Sequence, residues 1–142
     1  MTAAAYSLPK SASVLIEGYA SLFGVEDAAG DCVRAGAFAS GLNGRTIPML
    51  LQHHPRAKIG HWVRMVEDGR GLFVCGLIEN ARAKGLVRKG LDGLSIGFRP
   101  QVWTLRPSAG RTLMKIDLIE VSLVAEPMLG PARFRVMSGL DQ

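Results

Sequence analysis

Short stretches rich in strand-forming residues, separated by glycine-containing turns, are the feature that most limits how this chain can fold. Five such stretches recur, at residues 14–22, 46–53, 71–78, 94–105 and 112–124. Strands this short, at this spacing, are typical of a barrel or a sandwich, and the 17 glycines of the chain supply turn residues. The sequence therefore predicts an α+β fold, with a small closed β-barrel flanked by a few helices.

Two segments between these stretches favour helix. Residues 36–42 predict one short turn of helix. Residues 80–89 contain good helix formers, with Asn80 placed to cap the first turn and Gly90 placed to end the last one. Both helices are expected to flank the barrel.

The length and composition predict a single domain without a membrane span. A chain of 142 residues that is 48% hydrophobic can bury one sizeable core, so we expect one domain over residues 1–142, with an ordered body at about 13–133 and flexible ends. No apolar run approaches the roughly 18 to 20 residues that a spanning helix needs. The first ten residues lack a secretory pattern, so a cytoplasmic location is expected.

The net charge and the two cysteines exclude few kinds of partner or cofactor. Cys32 and Cys75 form no Cys-x-x-Cys pair, so we expect free thiols, and the sequence indicates no metal and no cofactor. The net charge of +5 would favour acidic partners, including nucleic acid. The basic residues are scattered along the chain, however, which makes nucleic acid an unexpected partner.

Ser95 is the first candidate for chemistry. On a regular strand its side chain shares a face with Gly93 and Gly97, while Leu94 and Ile96 point the other way. Flanking glycines would leave room for a substrate backbone to approach a nucleophile. The alternative is that the glycines mark a bulge and Ser95 only lines the strand.

His53 is the second candidate. It ends a stretch in which Met49, Leu51 and His53 fall on one face, so the ring would lie at the rim of an apolar surface that favours the neutral imidazole. A neutral ring can accept a serine proton. The alternatives are a structural histidine, or a zinc site with His54 and His61, for which no cysteine or acidic residue completes a recognised ligand spacing.

Glu120 is the third candidate, because it lies in an apolar strand. The pattern places it on the same face as Ile116, Leu118 and Ser122. A buried carboxylate needs a partner, so Glu120 is expected to have a specific mate. That mate could be a histidine ring, whose tautomer the carboxylate would fix, or an Arg or Lys in a structural ion pair.

These segments resemble, in the same order, the prohead maturation proteases of tailed phages and related gene transfer particles. The resemblance rests on the following motifs: IEGYASLFG at residues 16–24, GAF at 36–38, MLLQH at 49–53, LSIGF at 94–98 and EVSLV at 120–124. Together they extend over about residues 14–132. One departure is that the family often has Asp directly after its histidine, where this chain has His54, which leaves a role of His54 in proton handling open.

The resemblance implies a fold similar to the herpesvirus assembly proteases and a serine endopeptidase activity. It assigns the nucleophile to Ser95, the general base to His53 and the third catalytic position to Glu120. Candidate oxyanion donors or substrate contacts are the backbone amides near Gly97 and the Arg99 guanidinium.

The same resemblance implies the partners. The substrates would be a scaffold or the leader of the major capsid protein, and the protease itself, inside the assembling prohead. Related viral enzymes are dimeric, which favours a homodimer. The rival interpretation is a non-catalytic basic β-barrel that binds nucleic acid or a capsid protein, but the few aromatic residues are scattered and do not interleave with the bases.

Overall fold

The strands and the helix follow one another along the chain in an order close to the predicted one. The computed structural model describes residues 13–39, 41–42, 44–107 and 109–138. Within these residues the chain forms the following elements: β1 (Val14–Leu22), β2 (Cys32–Val33), β3 (Pro48–Leu51), β4 (Lys58–Glu67), β5 (Gly71–Ile78), α1 (Ala81–Arg88), β6 (Gly93–Leu105), β7 (Arg111–Val124) and β8 (Phe134–Ser138).

The long β6–β7 hairpin is the frame of the sheet. These two antiparallel strands pair from Gly93 with Val124 to Leu105 with Arg111. The other edge of β7 pairs in parallel with β2 at one end and with β3 at the other. From β3 the sheet continues through β4, β5 and β1 to β8 by antiparallel pairs. The apolar core lies against one face of this sheet.

The sheet is not closed, so the prediction of a closed barrel is wrong. Strand β8 pairs only with the first half of β1, and Arg133, the residue before β8, meets β6 through one isolated bridge to Gly93. The second half of β1 faces β6 across a cavity that Leu22, Leu94 and Leu129 help to line. Side chains therefore lie between β1 and β6, where a closed barrel would have backbone hydrogen bonds.

Three strands lie outside the predicted stretches. Strand β8 begins at Phe134, so ordered structure continues past the predicted boundary at about residue 133, because β1 supplies an edge for it to pair with. Strand β4 contains five apolar residues among ten, but charged and polar residues interrupt them and only Ile59 is fully buried, so it shows neither an apolar run nor strict alternation. Strand β2 has only two residues. The predicted flexible start, residues 1–12, lies outside the described residues.

The two predicted helices differ in outcome. The helix at 80–89 is confirmed as α1, and the Asn80 side chain accepts a hydrogen bond from the Ala83 amide at 2.9 Å, as a cap should. The described part of 36–42 forms successive turns and no helix. The Glu67 carboxylate accepts the amides of Gly36 (2.7 Å) and Phe38 (2.9 Å), so contacts with β4 decide the loop conformation.

A buried ion pair fixes the loop that precedes β2. The Asp31 side chain is nearly inaccessible and binds the Arg111 guanidinium at 2.7 Å and its backbone amide at 3.0 Å. The hydrogen bonds from Arg111 hold the pKa of Asp31 below its usual value. This pair fastens one wall of the cavity between β1 and β6 to the start of β7.

As for membranes, α1 is far too short to span one, and the described residues contain no other helix that could.

Candidate active site

Pairing between β6 and β7 places two serines side by side. Ser95 of β6 lies directly opposite Ser122 of β7, and Gly97 lies opposite Glu120. Residues directly opposite in an antiparallel pair project from the same face. Ser95, Ser122 and Glu120 therefore share a face, and all three are buried. Their neighbours in the sequence, such as Leu94, belong to the hydrophobic core on the other face.

A bulge in β7 is the reason that Glu120 faces away from that core. The pairing register skips Ile119, so the alternation of side chains changes phase at this point. Leu118 and Val121 both belong to the core although they are three residues apart. The prediction that Glu120 shares a face with Leu118 is therefore wrong, whereas its shared face with Ser122 is confirmed.

His53 lies beyond the end of β3, in a strained turn. Strand β3 ends at Leu51, and Gln52 and His53 have φ angles of 54° and 61°, in the left-handed region. Such a conformation costs a non-glycine residue on the order of 1 kcal/mol or more. The turn ends the strand alternation, so the prediction that His53 continues the face of Met49 and Leu51 is wrong.

Gln52 holds this turn in place. Its backbone amide donates to the carbonyl of Leu123 at 2.9 Å, and its side-chain oxygen accepts the amide of Ala125 at 2.7 Å. Both contacts are with the end and the exit of β7. They attach the residue before His53 to the strand that carries Glu120. Sequence analysis does not identify Gln52, because these contacts join residues about 70 positions apart.

His53 and Glu120 form a close pair. His53 Nδ1 lies 2.5 Å from Glu120 Oε2. The imidazole is 43% exposed, whereas the carboxylate is 10% exposed. Of the two kinds of mate that the sequence allowed for Glu120, a histidine ring is the one found. The specific partner expected for this buried carboxylate is therefore confirmed.

Ser122 completes this cluster through its hydroxyl. Its Oγ donates to Glu120 Oε1 at 2.6 Å and accepts the backbone amide of His53 at 3.1 Å. The single hydroxyl proton is thus committed to Glu120, and Ser122 cannot also donate to Ser95. Ser122 orients both members of the pair. The sequence signal for it is its position two residues after Glu120 on the same strand face.

The pKa of His53 shifts in the direction opposite to the one that the sequence predicts. The hydrogen bond to Glu120 raises the pKa of His53 above its ordinary value, and the charge of Glu120 adds to this effect, while partial burial opposes it. The sequence predicted an apolar rim that favours the neutral ring. Here the carboxylate is the larger influence, since it stabilises the imidazolium that would form on proton transfer.

The glycines beside Ser95 admit neighbouring protein groups. A Cβ on Gly97 would lie 2.3 Å from Glu120 Oε2, and one on Gly93 would lie 2.9 Å from Pro127 Cδ. The predicted open space above Ser95 is therefore occupied at both glycines. The physical role of Gly97 is to let the carboxylate of Glu120 approach β6.

Two depressions adjoin the cluster. Ser95 lines the cavity between β1 and β6, and His53, Gly97 and Glu120 line a separate surface groove. Arg99 lies on that groove, largely exposed, with Asp117 3.8 Å away. The candidate side chains thus lie between two places that could receive a ligand.

The three histidines have different partners. His54 Nδ1 accepts the Arg56 amide at 3.2 Å, and His61 Nδ1 lies 3.2 Å from Glu79 Oε1. The zinc alternative needs His53, His54 and His61 together. In the part of the chain that the structure describes, no group of three or more His, Cys, Asp or Glu side chains is placed to hold a metal ion.

Sequence comparison identifies relatives over most of the chain. Residues 4–139 match the family model described as Caudovirus prohead serine protease. The prohead protease of Enterobacteria phage HK97 is 30% identical over 139 residues, a match that covers 89% of this chain and 61% of the phage protein. The chain therefore spans about three fifths of the length of that relative.

Structure comparison finds viral proteases of the same architecture. The protease of Kaposi's sarcoma-associated herpesvirus, in complex with a hexapeptide phosphonate inhibitor, matches with a TM-score of 0.63 at 12% identity, covering 89% of this chain and 65% of that one. The same protease in complex with an allosteric inhibitor matches with a TM-score of 0.52 at 15% identity, covering 87% and 75%. The predicted herpesvirus-protease-like fold is confirmed, apart from the closure of the barrel.

Proposed function

Because the chain belongs to the Caudovirus prohead serine protease family, we propose that it is a serine endopeptidase of capsid maturation. Its substrates are a scaffold or the leader of the major capsid protein, and the chain itself. It acts inside the assembling prohead. The prohead protease of phage HK97 supports this proposal as a relative.

The observation that carries the proposal is the pairing of His53 with Glu120, whose side chain projects from the same face of the sheet as Ser95. A serine hydroxyl is a poor nucleophile until a base removes its proton. Glu120 engages Nδ1 of His53, which leaves Nε2 as the nitrogen that can accept a proton. We assign the nucleophile to Ser95, the base to His53 and the orienting carboxylate to Glu120.

The reaction proceeds in two halves. His53 Nε2 takes the Ser95 proton as Oγ bonds to the scissile carbonyl carbon, and it then gives this proton to the leaving amine as the C–N bond breaks. Water attacks the acyl-enzyme with the same transfers and releases Ser95. The imidazolium appears in both halves, and Glu120 stabilises it.

The oxyanion of each tetrahedral intermediate needs hydrogen-bond donors. The backbone amides near Gly97 are our candidates, since they lie two residues from Ser95 on the same strand. Arg99 is a candidate for binding substrate, because Asp117 holds its exposed guanidinium only loosely, at 3.8 Å. A homodimer is the expected assembly, and sedimentation of the purified chain tests it.

Co-expression with a major capsid protein and a scaffold tests the function. We expect the wild-type chain to shorten the capsid protein or a scaffold, and Ser95→Ala and His53→Ala to leave them intact, as read by gel and mass spectrometry. Ser138→Ala, at an exposed strand serine, is the matched control and should cleave normally. Cleavage at the wild-type rate by Ser95→Ala would show that the nucleophile is another residue.

A serine-directed phosphonate provides a second measurement that needs no natural substrate. It should attach to the wild-type chain at Ser95, with mass spectrometry locating the adduct. His53→Ala should react far more slowly, since the serine proton then has no acceptor. An adduct on a different serine would contradict the assignment.

A further inference from the structure

The groove beside His53 has a composition suited to one kind of ligand. Its volume is about 450 Å³. Most of its wall is apolar and comes from β3, the turn after it, β6 and β7: Leu50, Pro55, Phe98 and Ile119. An apolar side chain of a ligand could bury part of its surface there, which contributes roughly 25 cal/mol for each Å² removed from water.

Two cations lie on this apolar groove. Lys58, at the start of β4, is exposed and forms no ion pair with any described residue. Arg99 is 76% exposed, and its one ion-pair partner among the residues that the structure describes is Asp117, which contacts Arg45 more closely. The acid of the groove, Glu120, is already engaged by His53 and Ser122. Lys58 and Arg99 together outnumber the single carboxylate of Glu120, so the groove carries a net positive charge when His53 is neutral.

We propose that this groove is a specificity subsite, which binds an apolar residue of the substrate polypeptide together with an adjacent acidic residue. The apolar side chain lies against Leu50 and Phe98. The carboxylate lies between Lys58 and Arg99. This proposal names the substrate class of the site above, and so it rests on the proposed function.

Continuity with two of the candidate catalytic side chains favours a polypeptide as the occupant. His53 and Glu120 form part of the groove wall, so a polypeptide bound beside His53 contacts the groove. Nucleic acid is disfavoured, since Phe98 is the only Phe, Tyr or Trp among the described residues that line the groove, and stacking platforms use several. The net charge of +5 also attracts acidic segments of a substrate.

Reversal of the groove charge tests the proposal in a chain that cannot cleave. In the Ser95→Ala background, three fluorescein-labelled decapeptides carry one Leu flanked by Asp, Asn or Lys in a Gly/Ser sequence, and anisotropy measures their binding. We expect the Asp peptide to bind best, about tenfold better than the Lys peptide, because two weak surface ion pairs contribute a few-fold each. The double substitution Lys58→Glu with Arg99→Glu should reverse this order.

Arg34→Glu is the control for a general charge effect. The Arg34 amide binds the carbonyl of Leu113, seven residues from Glu120 along β7 and thus about 20 Å away. This control should keep the wild-type order of peptides. Replacing the Leu of the Asp peptide by Ser should weaken binding severalfold, since the apolar wall then has no partner. An unchanged order in the charge-reversed variant, or tighter binding of a ten-residue oligothymidylate than of the Asp peptide, would overturn the proposal.

Cleavage by the active chain separates this proposal from the proposed function. A capsid-derived peptide with a mapped cleavage site is made with Asp, Asn or Lys at each position around that site. Preference for Asp at one position, seen in KM and reversed in the charge-reversed variant, supports the subsite. Cleavage without any acidic preference would overturn the subsite and leave the protease assignment standing. Charge-dependent binding without any cleavage would support the groove and refute the protease.

Discussion

Glu120→Gln is the substitution that examines the candidate site most directly. It removes one negative charge at nearly constant volume. The carboxamide can keep its oxygen toward His53 Nδ1 and turn its NH₂ toward Ser122 Oγ, which has a second lone pair available. The variant therefore loses the charge and retains the hydrogen-bonding geometry. We expect the His53 tautomer to survive.

The magnitude follows from the loss of one charge-assisted hydrogen bond. Such bonds contribute about 1.5 to 3 kcal/mol, and the lower end applies here because the ring is 43% exposed. A tenfold change in rate corresponds to about 1.4 kcal/mol. The pKa of His53 should thus be lower in the variant than in the wild-type chain, and kcat should fall about 10- to 50-fold. A loss of about 10⁴-fold would indicate the wrong tautomer instead.

The sign of the pH dependence is fixed by the direction of the shift. Activity requires neutral His53, so the acid limb of the wild-type profile lies above the ordinary histidine pKa of about 6.5 and moves to lower pH in Glu120→Gln. The pair stabilises the wild-type fold below about pH 6.5, and this stabilisation is lost as the pH rises through the folded-state pKa. Both the raised acid limb and the pH-dependent stabilisation should be absent from Glu120→Gln.

Two measurements check this prediction. Peptide cleavage against pH gives the acid limb, and NMR titration of the His53 ring in the Ser95→Ala background gives its pKa without catalysis. Urea unfolding at pH 5.5 and 8.5 gives the stability difference. An acid limb that stays in place or moves to higher pH would refute the reasoning that Glu120 raises the pKa of His53.

Three further predictions concern Ser122 and Gly97 of the candidate site and the cap of α1. Ser122→Ala should lower kcat about tenfold and raise the pKa of His53 further, since Glu120 loses a donor; an NMR titration showing a lower pKa would contradict this. Gly97→Ala should abolish most activity in a folded chain, because its Cβ would lie 2.3 Å from the Glu120 carboxylate, whereas Gly85→Ala, with open space around it, should leave activity unchanged; circular dichroism and peptide cleavage test both. Asn80→Ala should reduce the free energy of unfolding by about 1 kcal/mol in urea titrations through loss of the α1 cap, and equal stability would exclude a capping role.

The sequence predicted elements wherever one local pattern decides them. The stretches at 14–22 and 71–78 become β1 and β5 with the predicted bounds, since runs of strand formers between turns need no distant information. Strand β4 escaped this approach, because charged and polar residues interrupt its five apolar ones and the strand depends on its partners β3 and β5. The loop at 36–42 escaped it as well, because Glu67 determines its conformation from another strand.

The candidate site also has features that local sequence indicates and features that only the tertiary structure decides. The sequence by itself proposed Ser95, His53 and Glu120 as candidates, and it indicated that a carboxylate in an apolar strand must have a partner, because an ion is costly to bury alone. Only the tertiary structure decided which partner, since the bulge at Ile119 and the left-handed turn at His53 change the direction of both side chains. The bulge depends on how β6 pairs with β7, between residues about 20 positions apart, and the turn depends on contacts between Gln52 and the end of β7, about 70 positions away. The periodicity within one strand does not show which distant segment it will contact.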